Sequence, residues 1–264
     1  MKELTAIVQE IHHFGSGYCQ LKLAVPTLLN IEAGQFAMLK PATLFEPLLR
    51  RAMAFYQTKI TNNTTLVDFI FHVLGRGTQA LAQLKPGDQV EFLGPLGKSF
   101  SSVPAKELGG ALIVAGGVGT PAVLILAQEL CSYGIETHIF LGARSSDDLI
   151  GVADFSALPA KLTITTDDGS AGEQGFVTQS LEKFLQQHKK NFAVYTCGPE
   201  IMMKRTSEIA TNFGLKTYAS LEARMACGFG VCVGCVVEIQ TLNNSSYQRV
   251  CVEGPVFDSS EVVW

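Results

Sequence analysis

Charge is scarce in this sequence. Asp, Glu, Lys and Arg make up only 17% of its 264 residues, against 47% hydrophobic, and the formal net charge is −4. No long basic block occurs, which argues against a nucleic-acid surface. Disorder is excluded by the same composition, because a chain this apolar can bury enough surface to offset the cost of ordering. The apolar core of a secretory signal is also missing. Met1-Lys2-Glu3-Leu4 opens straight into alternating residues, and the expected location is the cytoplasm. One stretch, 109–128, carries no charge and is long enough to raise the question of a membrane span. Gly116, Gly117, Gly119 and Pro121 interrupt it, so it reads as a buried strand, a turn and a helix, with no membrane insertion.

Cysteine is unevenly placed. Of Cys19, Cys131, Cys197, Cys227, Cys232, Cys235 and Cys251, four fall in the last 38 residues. An odd, clustered set does not suit a secreted disulfide scaffold; reduced cysteines with a metal-binding group fit better. Cys19 and Cys131 read as small buried hydrophobes.

The first hundred residues read as β. Alternation over Leu4–Ile11, Tyr18–Val25 and Gln35–Lys40, a longer run over Thr65–Leu74 and a short one over Gln89–Leu93 are separated by turn residues. Strands at this spacing predict an antiparallel barrel. From Gly109 the pattern changes. Strand Ala111–Ala115, helix Thr120–Tyr133, strands Glu136–Leu141 and Lys161–Thr165, helix Phe176–His188, strand Phe192–Thr196, helix Glu200–Phe213 and strand Lys216–Leu221 follow in order. That alternation predicts a parallel α/β sheet with helices on both faces. A short, cysteine-bearing and irregular segment closes the chain. The predicted division is 1–101, 102–222 and 223–264, long enough for two packed units and a small third.

The strongest chemical signal is Cys227-Gly-Phe-Gly-Val-Cys232-Val-Gly-Cys235 with Cys251 following. The spacing C-x4-C-x2-C-x15-C is the plant-type pattern for a [2Fe–2S] cluster. Three thiolates must converge from one tightly wrapped loop. Gly228, Gly230 and Gly234 permit that wrapping and leave N–H groups free to face sulfur, which tunes the cluster's potential. A zinc site would favour paired C-x2-C knuckles, and only one such pair exists here; redox disulfides are the other alternative. Roughly 40 residues cannot build a self-sufficient core, so a cluster would supply much of this segment's folding energy.

A second signal is Val114-Ala115-Gly116-Gly117-Val118-Gly119-Thr120-Pro121, between a strand and a helix. Glycines let backbone approach a phosphate and a helix N-terminus favours negative charge. Thr120 is the predicted N-cap with Pro121 at the first helical position. A purely structural turn would look similar. The acidic residue that a Rossmann unit places after its second strand is missing from Phe140-Leu141-Gly142-Ala143-Arg144. Tyr195-Thr196-Cys197-Gly198-Pro199 is a second strand-to-helix turn. Two such turns at successive strand ends mark the rim where open α/β sheets bind ligands.

These residues, in this order, resemble the ferredoxin–NADP⁺ reductase superfamily. With the run Glu222-Ala223-Arg224-Met225-Ala226-Cys227 and the tail Cys251-Val-Glu253-Gly254-Pro255-Val256-Phe257, the chain resembles the electron-transfer subunits of class 1B dihydroorotate dehydrogenases over nearly its whole length. The resemblance implies an FAD-binding β-barrel over 1–101, an NAD-binding α/β domain over 102–222 and a [2Fe–2S] subdomain over 223–264. It implies that FAD contacts Arg51, Ala52, Met53 and Ala54, the strand Ile70-Phe71-His72, and Gly77-Thr78. At the nicotinamide site it implies Gly116, Gly117, Gly119, Thr120, Gly198 and Pro199, with Cys197 as the catalytic candidate. The cluster ligands would be Cys227, Cys232, Cys235 and Cys251. The family's Arg-x-x-Ser flavin motif is Arg51-Ala-Met-Ala54 here, so the arginine is kept and the hydroxyl is lost. The implied partner is an FMN-containing dihydroorotate dehydrogenase catalytic subunit, in a heterotetramer of two of each, serving pyrimidine biosynthesis. Hydride arrives as an electron pair and a [2Fe–2S] cluster takes one electron at a time, so a flavin must stand between. Another NAD(P)H-linked subunit, feeding a hydrogenase, a transhydrogenase or a ferredoxin pool, would use the same modules. A non-enzymatic redox sensor would need neither nicotinamide turn. NADH is expected over NADPH, because Asp147 and Asp148 follow Arg144 and would oppose a 2′-phosphate.

Overall fold

The computed structural model describes all residues except 44–45, 189 and 242–243. Seven antiparallel strands form the first sheet: β1 Lys2–His13, β2 Tyr18–Val25, β3 Phe36–Pro41, β4 Arg51–Ala54, β5 Gln57–Thr61, β6 Thr64–His72 and β7 Gln89–Leu96. Their order is β4-β3-β7-β1-β2-β6-β5. The sheet curls until its edges meet at the bend after β4, where Tyr56 N donates to Asp68 O at 2.9 Å. Period-2 alternation explains the packing: Cys19, Leu21, Leu23 and Val25 of β2 are buried with Val67, Phe69 and Phe71 of β6. Register sets the site as well, since Tyr18 is paired with His72.

Two strands and a helix of this region escape the periodicity reading. β4 and β5 are only four and five residues long. α1, Arg76–Ala82, begins inside what reads as a turn, and its seven residues are too few for a helical period to emerge.

After α2, Val103–Leu108, the chain builds a second sheet from β8 Gly110–Gly116, β9 Glu136–Ala143, β10 Lys161–Thr166, β11 Glu173–Gln174, β12 Ala193–Cys197 and β13 Thr217–Ser220. The helices are α3 Leu124–Ser132, α4 Val152–Ser156, α5 Val177–Gln187 and α6 Glu200–Asn212. The parallel strands β10-β9-β8-β12-β13 place consecutive strand ends on one rim. Every residue of β8 is buried. Ala111, Ile113 and Ala115 pack with α3 on one face, and Leu112 and Val114 pack with α5 and α6 on the other, as a doubly covered parallel sheet requires.

One local expectation fails. The helix predicted from Thr120 starts as a 3₁₀ turn over Gly117–Val123, and α-geometry begins only at Leu124. Thr120 is buried and makes no side-chain cap, because the segment is fixed by packing against its neighbours.

The final segment is more regular than its sequence suggests. β14 Val236–Thr241 and β15 Asn244–Arg249 form a hairpin, and β16 Val256–Asp258 pairs antiparallel with β13. Its apolar residues join Phe36, Met38, Leu93 and Leu96 of the first sheet and Met203, Ala219 and Leu221 of the second in one buried cluster. The tail is thereby packed onto both sheets, which compensates for its small size.

Candidate functional site

A cleft of about 1120 Å³ runs between the first sheet and the rim of the second. It exceeds the roughly 300–1,000 Å³ of a drug-sized pocket and has room for dinucleotides.

On the barrel wall, Arg51, Ala52 and Met53 of β4, Phe71 and His72 of β6, and Thr78 of α1 line the cleft. The Arg51 guanidinium lies across Gly77, where an added Cβ would sit 2.1 Å from its Nε. The bare glycine is therefore the seat that holds the cation at the mouth of α1. A guanidinium held at a helix start suits a pyrophosphate, so this side fits FAD. Thr78 plays another part: its Oγ1 accepts from the amides of Leu74 (3.0 Å) and Gly75 (3.1 Å), closing its own loop. Ile70 is buried in the core and Ala54 packs against it; neither lines the cleft. Tyr18 lies against His72, the rings tilted by 34° with centroids 4.8 Å apart. Burial raises the Tyr18 phenol, with the Asp148 charge adding to the effect.

On the opposite wall the two glycine turns interlock. A Cβ on Gly119 would lie 2.4 Å from Gly198 N, and one on Gly198 would lie 2.8 Å from Gly116 O. Gly198 has φ +151°. The glycines allow two strand-end turns to meet backbone to backbone. Gly116, Gly117 and Pro199 face the cleft, whereas Gly119 and Thr120 lie behind it. Bare backbone at two strand ends of one rim fits a nucleotide, whose phosphates Gly116-Gly117 would be able to approach. Cys197, at the end of β12, is 2% exposed and does not line the cleft. Burial pushes its thiol up, the nearby Glu222 carboxylate pushes the same way, and a hydrogen bond with Ser220 opposes them. Glu222 does line the cleft, and its carboxyl is raised by burial.

The cluster loop begins where the cleft ends. Glu222, Ala223, Arg224 and Met225 line the cleft, and Cys227 is two residues on, within about 7 Å along the backbone. Cys227 interacts with Cys232, and Cys251 interacts with both Cys235 and Cys227. Among the described residues no three His, Cys, Asp or Glu side chains gather as the shell of a single ion. Four thiols at plant-type spacing suit a [2Fe–2S] cluster better than a zinc site, which favours paired C-x2-C knuckles. The Cys227 thiol is lowered although burial acts against it, because the amides of Cys232, Phe229 and Val231 point at its sulfur. Those N–H groups are what a cluster sulfur needs. Cys251 is raised by burial and by the neighbouring Cys235. Gly228 at φ +81° packs on Met38 of β3, and Gly230 at φ +90° packs on Val252. Arg249 braces the loop by donating to Gly230 O at 3.1 Å while ion-paired with Glu253.

The structure brings Arg51, Ala52, Met53, Phe71, His72, Thr78, Gly116, Gly117 and Pro199 to one cleft, whereas Ala54, Ile70, Gly77, Gly119, Thr120, Cys197 and Gly198 do not line it, and it adds several residues that sequence reasoning missed. Tyr18, Asp167 and Arg205 line the cleft but carry no motif. Only the register of β2 with β6, and the rim position of β10, bring the first two there.

Comparison with known proteins agrees with this geometry. Residues 222–263 match the iron–sulfur cluster binding domain of dihydroorotate dehydrogenase B, and residues 113–208 match the oxidoreductase NAD-binding domain. The dihydroorotate dehydrogenase B (NAD(+)) electron transfer subunit of Desulforamulus reducens is 36% identical over 92% of this chain and 88% of its own length. A protein described as a homolog of that subunit, from Aquifex aeolicus, is 37% identical over 100% of this chain and 99% of its own. Among solved structures, a chain from an NADH-dependent reduced ferredoxin–NADP oxidoreductase, described for flavin-based electron bifurcation, superposes with a TM-score of 0.84. It is 28% identical and covers 98% of this chain and 90% of that one. The ferredoxin reductase of carbazole 1,9a-dioxygenase shares the fold at a TM-score of 0.70 and 21% identity, covering 81% of this chain and 66% of that one. The chain belongs to the family of electron transfer subunits of dihydroorotate dehydrogenase B (NAD(+)).

Proposed function

We propose that this chain moves electrons between NAD(H) and an FMN-containing dihydroorotate dehydrogenase catalytic subunit, in pyrimidine biosynthesis. In this reading 1–101 is the FAD unit, 102–222 the NAD unit and 223–264 the cluster unit, acting in the cytoplasm in a heterotetramer of two of each subunit. The observation that carries it is the continuity of the cleft wall at Glu222–Met225 with the cysteine loop at Cys227. FAD, when bound, accepts a hydride pair and gives up single electrons, which a [2Fe–2S] cluster carries one at a time.

The chain's own residues do the rest. Arg51, seated on Gly77, neutralises the flavin pyrophosphate, and Ala52 and Met53 floor the same wall. The Gly116-Gly117 and Gly198-Pro199 turns would hold the nicotinamide nucleotide at the rim of the second sheet. Cys197 backs that position, and Glu222, whose carboxyl burial raises, lines the cleft beside it. Cys227, Cys232, Cys235 and Cys251 hold the two irons. Co-purification from the native cell tests the partner: an FMN protein that oxidises dihydroorotate is the expected companion.

A second reading rests on one observation, the superposition over 98% of the chain on a subunit of a bifurcating ferredoxin–NADP oxidoreductase. In it the same modules feed another NAD(P)H-linked oxidoreductase. Recovery of a pyridine-nucleotide-linked flavoprotein without dihydroorotate activity would favour it.

A further inference from the structure

The barrel wall holds a buried polar side chain that the electron path leaves unused. Tyr18 opens β2, is only 7% exposed and yet lines the cleft. Its ring belongs to a buried cluster that spans both sheets and includes Ile70 of β6 and Ala115 of β8. The backbone around it is pinned. Phe14 N donates to Tyr18 O at 2.9 Å, and Val73 N donates to Gly17 O at 2.9 Å. His72, whose ring Tyr18 lies against, has its Nε2 2.8 Å from Ser16 O. The phenol is therefore carried on a rigid seat.

Its hydroxyl reaches the opposite wall. A Cβ added to Gly117 would lie 4.0 Å from Tyr18 Oη, so the side chain bridges from the barrel to the first glycine turn of the second sheet. Among the described residues the hydroxyl makes no hydrogen bond. Asp148, whose charge is felt at the phenol, is occupied by Ser145 Oγ and by Arg144, each at 3.3 Å. Burial and that charge keep the phenol protonated, so it stands as a donor. A fixed O–H that opens on a cleft is preorganised to donate to what the cleft holds.

Beside Gly117 the fitting acceptor is a phosphate oxygen. Bare backbone at a strand end lets a phosphate approach, and hydrogen bonds to ionised oxygens are the strong ones. The flavin pyrophosphate is matched elsewhere, by Arg51 on its Gly77 seat. Resting on the proposed nicotinamide site, we propose that Tyr18 is a positioning residue that donates its phenol hydrogen to a phosphate oxygen of the nicotinamide nucleotide at the Gly116-Gly117 turn. The barrel thereby supplies one contact to the ligand of the second sheet, and a bound nucleotide ties the two walls together.

The test uses Tyr18→Phe, which removes one oxygen and keeps the ring. NAD⁺ and 5′-ADP are titrated into the oxidised, cofactor-loaded protein by calorimetry. Steady-state flavin reduction by NADH, the affinity for FAD and the melting temperature are measured alongside. The Kd for NAD⁺ and for 5′-ADP and the KM for NADH should each rise about tenfold, as loss of one hydrogen bond to a charged group implies. The kcat should stay unchanged, because the contact is made equally before and during hydride transfer. FAD affinity and melting temperature should also stay unchanged. Unaltered Kd and KM in Tyr18→Phe would overturn the assignment. So would weaker FAD binding in place of weaker NAD⁺ binding, or a loss for NAD⁺ that 5′-ADP does not share, since the contact would then lie off these phosphates. If the unmodified protein binds no NAD⁺, the nicotinamide site itself is wrong and this contact falls with it.

Discussion

The interlocked glycine turns and the cysteine loop are both built from glycine, yet their glycines answer different demands. In the turns, Gly119 and Gly198 are bare because the backbones of two strand ends touch there. Buried sheet and helices hold that contact. In the loop, Gly228 and Gly230 adopt left-handed φ and are joined by Val233 at φ +46°, a costly conformation for a β-branched residue. Phe229, Val231 and Val233 around it are exposed. The turns are held backbone against backbone, whereas the loop, though packed on Met38 and Val252, leaves its own apolar side chains exposed and would gain stability from what its thiols bind.

The largest effect that would sharpen this contrast comes from Cys232→Ser. One-electron transfer to the partner should fall by on the order of 1,000-fold, with iron and labile sulfide lost, as removal of one of four cluster ligands implies. Flavin reduction by NADH should persist, because the cleft does not need the loop. Loss of both activities together would mean that the two regions fold as one unit. Iron and sulfide analysis with stopped-flow flavin bleaching decides it.

Gly119→Ala attacks the other side. Its Cβ would meet backbone, which cannot swing away, so the turns must part. A displacement of about 1 Å at such a seat costs on the order of 100-fold in kcat/KM. NADH kinetics should show that loss while the iron content stays normal. Unchanged kinetics would refute the interlock.

Gly77→Ala is milder. Here the added methyl meets the far end of the Arg51 side chain, which can move. FAD should bind about tenfold more weakly, the worth of one charge-assisted contact, with the melting temperature of the flavin-free protein unchanged. Flavin fluorescence on dilution measures the first and calorimetry the second.

Ala54→Ser should have the smallest effect. Restoring the hydroxyl absent from Arg51–Ala54 should shift the flavin midpoint by no more than about 30 mV, the equivalent of one modest hydrogen bond in a two-electron couple. A larger shift in a redox titration would mean that the side chain at this position reaches the ring, against Ala54 lying off the cleft wall.

Much of this molecule was legible in its sequence, for reasons that also mark where reading stops. Strands with clear alternation or continuous burial, such as Tyr18–Val25 and the run around Ala111–Ala115, were found within a residue or so of β2 and β8. Thiol spacing exposed the cluster loop because cluster geometry restricts spacing so strongly. β4, β5 and α1 escaped because four to seven residues cannot display a period. Thr120 was misread as a cap because its side chain is fixed by packing around the turn, which local sequence does not report. Tyr18 and Asp167 reach the cleft through register and sheet order, and neither is written in neighbouring residues.

The central claim is that hydride entering the cleft leaves as single electrons through the cysteine loop of the same chain. Anaerobic titration of the intact protein with NADH, followed by visible absorbance and low-temperature electron paramagnetic resonance, tests it directly. The account predicts flavin bleaching together with a reduced [2Fe–2S] signal, and bleaching alone in Cys232→Ser. A protein that bleaches without any cluster signal before substitution, or that carries zinc in place of iron and sulfide, would contradict it.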